Sequence, residues 1–352
     1  MGIHLEQRLL DVLDLFRSKR KFNYLQIGVS SRCTHSCVMC PRTCFSERWS
    51  SVDMSLETYT KISESFPSAH HVYLSGWGEP LLNPHFMDML DIAKGLGCEV
   101  GFTTNGALLD GDTIQELVGL QVDLVSLSLA GATAESHGAK RVGSDFRSII
   151  KNLTLLESIK MKTGSEKPQV IILFMMFRDN LDELVKAIKL AANIGVEGVV
   201  ATNVDYVGDP VQDEVKAFSC NNTATEQSSK IRDAKEIAEG LGVRFRALPL
   251  RMGPTKICSE DPLNNLYISE RGEVSPCVYL NPPVSQIPRI FCGERTVIPT
   301  LSYGNIGEAD LLDIWESDGY VSFRRHYENR LKGSESSPLP QPCRTCYKAY
   351  GI

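Results

Sequence analysis

The stretch LQIGVSSRCTHSCVMC, residues 25–40, passes from an apolar β-strand pattern directly into three closely spaced cysteines. Cys33, Cys37 and Cys40 stand at CxxxCxxC spacing, and Cys44 lies just beyond them. The chain has 11 cysteines, an odd number, and no apolar export signal near its start. Because disulfide frameworks belong mainly to small exported domains, metal binding or catalysis explains this cluster better.

The strand before the cysteines is the first of a repeated alternation of strands and helices. Further strands are predicted at residues 71–76, 99–106, 124–129, 169–177 and 197–204, with helical patterns between them. About six such units imply a parallel sheet with outer helices, since right-handed crossovers set successive strands side by side. We therefore expect an α/β fold, a partial (β/α)6 barrel similar to a TIM barrel, with its chemistry at the carboxyl ends of the strands.

Three segments are expected along the chain. Residues 1–20 carry an amphipathic helix pattern, residues 21–250 form the barrel, and residues 251–352 form a small, loop-rich domain. In this last segment short apolar stretches alternate with proline-rich turns, so it cannot build a large core alone. We expect it to need a stabilising cross-link or metal site.

The charge pattern excludes several classes of partner. The net charge is -6 and long runs of Lys or Arg are absent, so neither a nucleic acid nor a membrane surface is an expected partner. The apolar run VIILFMMF, residues 170–177, is far shorter than the roughly 20 residues that a membrane-spanning helix needs. We expect a soluble cytoplasmic protein.

Two metals are considered for the CxxxCxxC cysteines. Zinc could use the three thiolates with His35, but His35 lies between two of the cysteines, and structural zinc usually takes paired CxxC halves. A 4Fe-4S cluster fits better, because three cysteines leave one iron open to an incoming ligand.

The CxxxCxxC loop after the first predicted strand resembles the signature of the radical S-adenosylmethionine (radical SAM) enzyme superfamily. The segment SGWGEP, residues 75–80, resembles the glycine-glutamate motif of that family, which implies that Gly76, Gly78 and Glu79 bind the amino group of S-adenosylmethionine. Glycines allow close backbone approach, and a carboxylate suits an ammonium group.

Other implied ligand contacts come from the same resemblance. TTNG (103–106) and SLSLAGA (126–132) end strands at which the family often has ribose and carboxylate contacts. Met39 stands where the family commonly has an aromatic residue, and it can still cover the adenine side. Arg141 is either a carboxylate contact or a solvated loop arginine. The cofactor-binding residues implied in this way are Met39, Thr104, Asn105, Ser128 and Arg141, together with the glycine-glutamate motif.

A second cysteine group lies in the C-terminal segment. Cys258 precedes Gly272 by thirteen intervening residues, Cys277 follows after four more, and Cys343 and Cys346 form a CxxC pair. This arrangement resembles the C-terminal extension called SPASM, or twitch in its shorter form. Its four cysteines imply one auxiliary 4Fe-4S cluster, with zinc as the structural alternative.

The resemblance implies an activity. A 4Fe-4S cluster on Cys33, Cys37 and Cys40 would cleave S-adenosylmethionine reductively to a 5'-deoxyadenosyl radical, which abstracts a substrate hydrogen, and a flavodoxin- or ferredoxin-type protein would be the reductant. The sequence looks closest to maturase-like members, which implies oxidative modification or maturation of a peptide, protein or metallocofactor enzyme.

Two other activities stay open. One is a twitch-type dehydrogenase or epimerase of a small-molecule substrate, an alcohol or sugar. The other is a non-catalytic iron-sulfur electron carrier or zinc scaffold. Cys292 lies outside both cysteine groups and is either a hydrogen donor to a substrate radical or an ordinary loop thiol. Spacing assigns no role to Cys44, Cys98 or Cys220.

Overall fold

The computed structural model describes residues 20–220, 225–333 and 337–352. Except for Arg20, the helix predicted in residues 1–20 lies outside the described residues. The strands of the described chain are β1 (Phe22–Ile27), β2 (Ser36–Cys37), β3 (Ala69–Leu74), β4 (Glu99–Thr104), β5 (Leu124–Leu129), β6 (Arg141–Val142), β7 (Gln169–Met176), β8 (Gly198–Asn203), β9 (Arg244–Ala247), β10 (Asn265–Ile268), β11 (Val274–Ser275), β12 (Gln286–Phe291) and β13 (Glu294–Pro299).

Helices follow most of the long strands. They are α1 (Pro41–Cys44), α2 (Leu56–Ser63), α3 (Phe86–Gly95), α4 (Gly111–Gly119), α5 (Ala134–Lys140), α6 (Phe146–Thr163), α7 (Leu184–Ile194), α8 (Pro210–Val215), α9 (Thr225–Leu241), α10 (Leu311–Glu316) and α11 (Asp318–Leu331). The longest, α6, begins where Asp145 accepts hydrogen bonds from the first-turn amides and ends at Gly164 in the left-handed conformation. None of the described helices is both long and apolar enough to cross a membrane.

One large sheet organises the described chain. Its strand order is β11-β10-β1-β3-β4-β5-β7-β8-β9, and every neighbouring pair is parallel except β10 with β11. The two edge strands, β11 and β9, are not paired with each other, so the sheet is open. The predicted α/β class is confirmed, and the open parallel sheet agrees with a partial barrel.

The two faces of the sheet differ in chemistry. Val72 and Leu74 on β3 are fully buried in the hydrophobic core. Tyr73, between them, points to the opposite face, where its hydroxyl lies 2.9 Å from Oγ1 of Thr103 and donates to Oγ of Ser126 at 2.8 Å. Since side chains alternate along a strand, the apolar residues form the core while polar residues line the other face.

The strand β10 comes from the C-terminal segment, and the sequence reading missed it. Residue Tyr24 of β1 is in register with Asn265, and the pairing continues to Ile27 and Ile268. Without this partner β1 would present unpaired backbone groups at the edge of the barrel sheet. The C-terminal segment is therefore built directly onto the sheet, whereas a boundary at residue 250 stays a prediction.

Candidate active site

The predicted cofactor residues surround one cavity of about 250 Å³. The elements that form it are the cysteine loop after β1, the loop after β3, the ends of β4 and β5, and the residues after β8. All predicted first-site residues line it: Cys33, Cys37, Met39, Cys40, Gly76, Gly78, Glu79, Thr104, Asn105, Ser128 and Arg141. The cavity thus lies at the carboxyl ends of the strands, where chemistry was expected.

The cysteine loop is fixed by a small antiparallel pairing. Cys37 of β2 is in register with Arg141 of β6, and the amide of Val38 donates to the carbonyl of Lys140 at 2.9 Å. A guanidinium nitrogen of Arg141 lies 4.0 Å from Sγ of Cys37. The side chain of Gln212, from α8, donates to the carbonyl of Met39 at 2.9 Å. These contacts hold the thiols in the cavity wall before any ligand binds.

Burial shifts the titration of two of these thiols. It raises the pKa of the Cys40 thiol to about 11, and it raises the pKa of Cys37 despite the opposing charge of Arg141. Both thiols are therefore protonated at neutral pH, and a metal must displace their protons to bind. His35, the alternative zinc ligand, is 2% exposed and is absent from the described residues that line the cavity.

Gly78 is required by close packing between two loops. A Cβ at this position would lie 2.5 Å from the carbonyl oxygen of Arg32 and closer still to that of Ser30. Beside it, the amide of Glu79 donates to the same Arg32 carbonyl at 2.7 Å. Only glycine lets the loop after β3 pack so tightly against the segment that leads into the cysteines.

The Glu79 carboxylate is buried and oriented by the end of β4. It is 2% exposed, and it accepts hydrogen bonds from Oγ1 of Thr104 and from the amide of Asn105, both at 2.8 Å. The side-chain amide of Asn105 also reaches Sγ of Cys33 at 3.6 Å. Burial raises the pKa of the Glu79 carboxyl to about 7, with these hydrogen bonds opposing the shift. A ligand cation in the cavity would favour the charged form.

The wall of the cavity also contains residues that sequence reasoning missed. The ring of Trp77 packs edge-on against Tyr206 at 5.6 Å and against Tyr279 at 5.8 Å between centroids, and Asp205 lies beside them. The indole of Trp77 donates to the carbonyl of Val278 at 3.1 Å. A signal for Asp205 existed, since it follows directly on the predicted strand 197–204, but Tyr279 belongs to the C-terminal segment.

The second cysteine group surrounds its own, more enclosed cavity. Cys258, Cys277, Cys343 and Cys346 all line it, and burial raises the pKa of both Cys258 and Cys343 to about 12. Four thiols match the donor set of a fully ligated iron-sulfur cluster and also that of structural zinc. Within the described ranges, no group of three or more His, Cys, Asp or Glu side chains is arranged to hold a single metal ion.

The remaining cysteines lie outside both groups. Cys220 and Cys292 form a disulfide, with their Cα atoms 5.7 Å apart. This pairing contradicts both the hydrogen-donor and the free-thiol interpretation of Cys292. It arises because the β12-β13 hairpin packs on the segment after β8, with the amide of Ile290 donating to the carbonyl of Val207 at 2.7 Å. No local pattern indicated this pairing, since the partners are 72 residues apart.

Cys44 and Cys98 are free thiols that belong to neither cysteine group. Burial and the neighbouring Asp209 carboxyl group raise the pKa of the Cys44 thiol far above its usual range. Cys98 is buried, and its Sγ lies 3.4 Å from the carbonyl oxygen of Phe66. Neither residue lines the cavity of the first cysteine group.

A cavity larger than that of the first cysteine group lies elsewhere. It measures about 670 Å³ and is lined by residues near the amino ends of the strands, including Tyr24, His71, Glu99 and Gln169. None of the predicted site residues borders it. Size alone would therefore have pointed away from the cysteines.

Comparison with known proteins matches both cysteine regions. The family described as Radical SAM superfamily matches residues 27–191, and the SPASM family, described as an iron-sulfur cluster-binding domain, matches residues 258–347. A tungsten-containing aldehyde ferredoxin oxidoreductase cofactor-modifying protein of Pyrococcus furiosus is 28% identical over 316 residues, 88% of this chain and 85% of its own. A PqqA peptide cyclase of Gluconobacter oxydans is 22% identical over 90% of this chain and 80% of its own.

Solved structures show the same fold. Streptococcus suis SuiB bound to its precursor peptide SuiA aligns with a TM-score of 0.64 at 14% identity, over 98% of this chain and 74% of SuiB. The structure of anSMEcpe with bound AdoMet and Cp18Cys peptide aligns with a TM-score of 0.63 at 16% identity, over 93% of this chain and 88% of that one.

The resemblance predicted from the cysteine motifs is confirmed, and with it the cofactors that it implies: a 4Fe-4S cluster with S-adenosylmethionine in the first region and auxiliary iron-sulfur binding in the second. Since each of the two cysteine groups lies within its own matched region, this chain belongs to the radical SAM superfamily and is a radical SAM enzyme with a C-terminal SPASM domain.

Proposed function

We propose that this enzyme carries out an oxidative modification that matures a peptide, a protein or a metallocofactor enzyme. The observation that carries the proposal is Tyr279, a residue of the matched SPASM region that lines both the active cavity and the cavity of the second cysteine group. A reaction site that shares a lining residue with an auxiliary redox site suits a net oxidation. The Pyrococcus furiosus relative is named for modifying a cofactor and the Gluconobacter oxydans relative for cyclising a peptide, which supports maturation as the class.

In this proposal Cys33, Cys37 and Cys40 hold the first 4Fe-4S cluster. When bound, the cluster and S-adenosylmethionine would supply the radical chemistry for hydrogen abstraction from the substrate. The protein's part is to place three thiols in one wall and to keep them there. The β2-β6 pairing and the hydrogen bond from Gln212 do this.

Glu79 is the proposed partner of the ligand's ammonium group. Thr104 and Asn105 fix both of its oxygens, so the carboxylate is oriented before the ligand arrives. Gly76 and Gly78 line the same cavity, where the lack of a side chain lets a ligand approach the backbone closely. A preoriented buried carboxylate loses little conformational freedom on binding, which favours affinity.

The remaining predicted contacts complete the S-adenosylmethionine site. We assign Met39 to the adenine side, Ser128 to the polar part of the ligand, and Arg141 to its carboxylate or to the charge of the nearby thiolates. Arg141 suits either role, because its guanidinium is already next to Cys37.

The second group, Cys258, Cys277, Cys343 and Cys346, is proposed to hold one auxiliary 4Fe-4S cluster with all four thiols as ligands. The division into residues 21–250 and 251–352 is kept as the proposed domain organisation, although β10 and β11 join the barrel sheet. The proposed reductant is a flavodoxin- or ferredoxin-type protein, which would place the enzyme in the cytoplasm.

Anaerobic reconstitution tests the cofactor assignment. We expect about eight irons in the wild type and about four in a variant with Cys33, Cys37 and Cys40 all changed to Ala, because each 4Fe-4S cluster carries four. With dithionite and S-adenosylmethionine, only the wild type should form 5'-deoxyadenosine. Zinc in place of iron, or iron without cleavage, would contradict the proposal.

The substrate class is tested separately by stimulation of 5'-deoxyadenosine formation. The reconstituted enzyme is incubated with short peptides encoded beside its gene, with neighbouring metalloenzyme subunits, and with small alcohols and sugars. We expect stimulation and a mass change in a peptide or protein. Stimulation by a small alcohol or sugar alone would support the dehydrogenase or epimerase alternative instead.

A further inference from the structure

Asp205 connects the two cavities of the molecule. It lies two residues beyond β8 and lines the active cavity. Its Oδ1 accepts a hydrogen bond from the hydroxyl of Tyr279 at 3.0 Å, and its Oδ2 lies 2.9 Å from Nζ of Lys348. Tyr279 and Lys348 both line the cavity of the second cysteine group. One barrel carboxylate is thus held by two side chains of the C-terminal segment.

The C-terminal residues linked to Asp205, directly or through Lys348, follow a regular spacing in the sequence. Glu260, Tyr279 and Lys348 each stand two residues after a cysteine of the second group, namely Cys258, Cys277 and Cys346. Lys348 also lies 3.8 Å from Oε1 of Glu260. Three separate cysteine-bearing segments therefore converge on one ionic network, and that network reaches the active cavity through Asp205.

The charged side chains of this network are largely buried. The side chains of Asp205 and Lys348 are 13% and 11% exposed, and that of Glu260 is 15% exposed. The described residues around the four thiols include two cations, Lys348 and Arg289. Arg289 donates to the backbone carbonyls of Pro342 and Tyr279, so Lys348 is the cation whose partners are carboxylates.

Burial makes this arrangement electrostatically important. A charge in a poorly solvated site acts on its neighbours more strongly than one at the surface. A cluster ligated by four thiolates gains negative charge when it is reduced, so a fixed cation beside it favours reduction and a fixed anion opposes it.

We propose that Lys348, positioned by Asp205 and Tyr279, sets the reduction potential of the auxiliary iron-sulfur centre. The inference rests on the proposed iron-sulfur occupancy of the second cysteine group. It makes Lys348 and Asp205 a pair with opposite effects: the lysine raises the potential and the aspartate lowers it. Because Asp205 also lines the active cavity, one network of charged side chains extends from the active cavity to the auxiliary centre.

The test measures the potential of the auxiliary centre alone. Full-length protein with Cys33, Cys37 and Cys40 changed to Ala is reconstituted anaerobically and titrated with dithionite, and the reduced centre is followed by electron paramagnetic resonance. Lys348→Gln should lower the midpoint and Asp205→Asn should raise it. We expect at least a tenfold change in the ratio of reduced to oxidised centre at fixed potential, about 59 mV for one electron.

Three further variants distinguish an effect of side-chain charge on the potential from an effect on folding. Lys348→Arg keeps the charge and should stay close to the parent potential. The double variant Asp205→Asn with Lys348→Gln should return toward it, because the two changes cancel. Lys235→Gln, on the exposed surface of α9, is the matched charge control and should have no effect.

The outcomes are distinct. Opposite shifts that cancel in the double variant support the inference. Equal potentials in all iron-loaded variants, or shifts of the same sign, overturn it while leaving the proposed function intact. Loss of iron from Lys348→Gln together with Lys348→Arg also overturns it, since charge would then not be what matters. Zinc at these cysteines in the parent protein would overturn both proposals.

Discussion

Oγ1 of Thr104 donates a 2.8 Å hydrogen bond to Oε1 of Glu79, and this contact joins the loop after β3 to the end of β4. The amide of Asn105 holds the other oxygen. The carboxylate thus faces the cavity with its orientation set by neighbouring strands, and its acceptor capacity is only partly used. The ammonium group of a ligand would supply a positive charge to pair with this carboxylate.

Glu79→Gln should weaken binding of S-adenosylmethionine to the iron-loaded enzyme by at least about tenfold, because a charge-assisted hydrogen bond is worth roughly 1.5–3 kcal/mol. The amide group of Gln would also turn a donor toward Thr104 or Asn105. Equilibrium binding of the ligand checks the change, with Glu57→Gln on the exposed surface of α2 as control. Equal affinity in wild type and Glu79→Gln would refute the assignment.

The same residue should give the metal-free protein a pH-dependent stability. The folded-state pKa of Glu79 is about 7, above its ordinary value of 4.5, so the folded state binds more protons between these pH values. Its contribution to the free energy of unfolding therefore falls as pH rises from 4.5 to 7, by about 3 kcal/mol.

This contribution must be measured as a difference between proteins. Burial lowers the pKa of His35 to about 4 and that of His137 to about 3, and both shifts act in the opposite direction, raising stability as pH rises from these values to 6.5. Urea unfolding at pH 5 and pH 7.5 gives the free energy of unfolding of wild type and of Glu79→Gln. The difference between the two proteins isolates the contribution of the Glu79 carboxyl group. Parallel pH profiles for the two proteins would show that Glu79 does not titrate as described.

Gly78→Ala should destabilise the protein by about 1–3 kcal/mol, the range for overpacking of a close contact. The added methyl group would push the loop after β3 away from the carbonyls of Ser30 and Arg32. Iron content after reconstitution should fall too, since this segment leads into the cysteines. Gly95→Ala is the matched control: its Cβ meets nothing within 4 Å, so it should be neutral or stabilising. Equal losses in both variants would contradict this packing argument.

Much of the first site was predictable because its signals are local. The three cysteines, the segment 75–80 and the strand end 103–106 each follow a recognisable strand, and parallel strands end at the same edge of the sheet. Every residue chosen in this way lines one cavity. The roles of these residues toward the cofactor stay predictions.

The features that were missed depend on pairing between distant segments. The strand β10 is only four residues long, and its burial follows from its position beside β1. Asp205 acquires its importance from Tyr279 and Lys348, which are far away in sequence. In such cases the pattern within a segment does not indicate its partner, so only the tertiary structure shows the contact.

The disulfide between Cys220 and Cys292 should stabilise the protein without contributing to either metal site. It ties the β12-β13 hairpin to the segment after β8 and closes a loop of 72 residues, for which a stabilisation of about 2–4 kcal/mol is typical. Cys292→Ser, and equally Cys220→Ser, should lower the free energy of unfolding by that amount under oxidising conditions and have no effect under reducing conditions. The iron content and 5'-deoxyadenosine yield of Cys292→Ser should match those of wild type, because the sulfur of Cys292 is engaged with Cys220 and is not a hydrogen donor to substrate. Loss of product with undiminished 5'-deoxyadenosine in Cys292→Ser, and not in Cys220→Ser, would instead indicate a chemical role for the thiol.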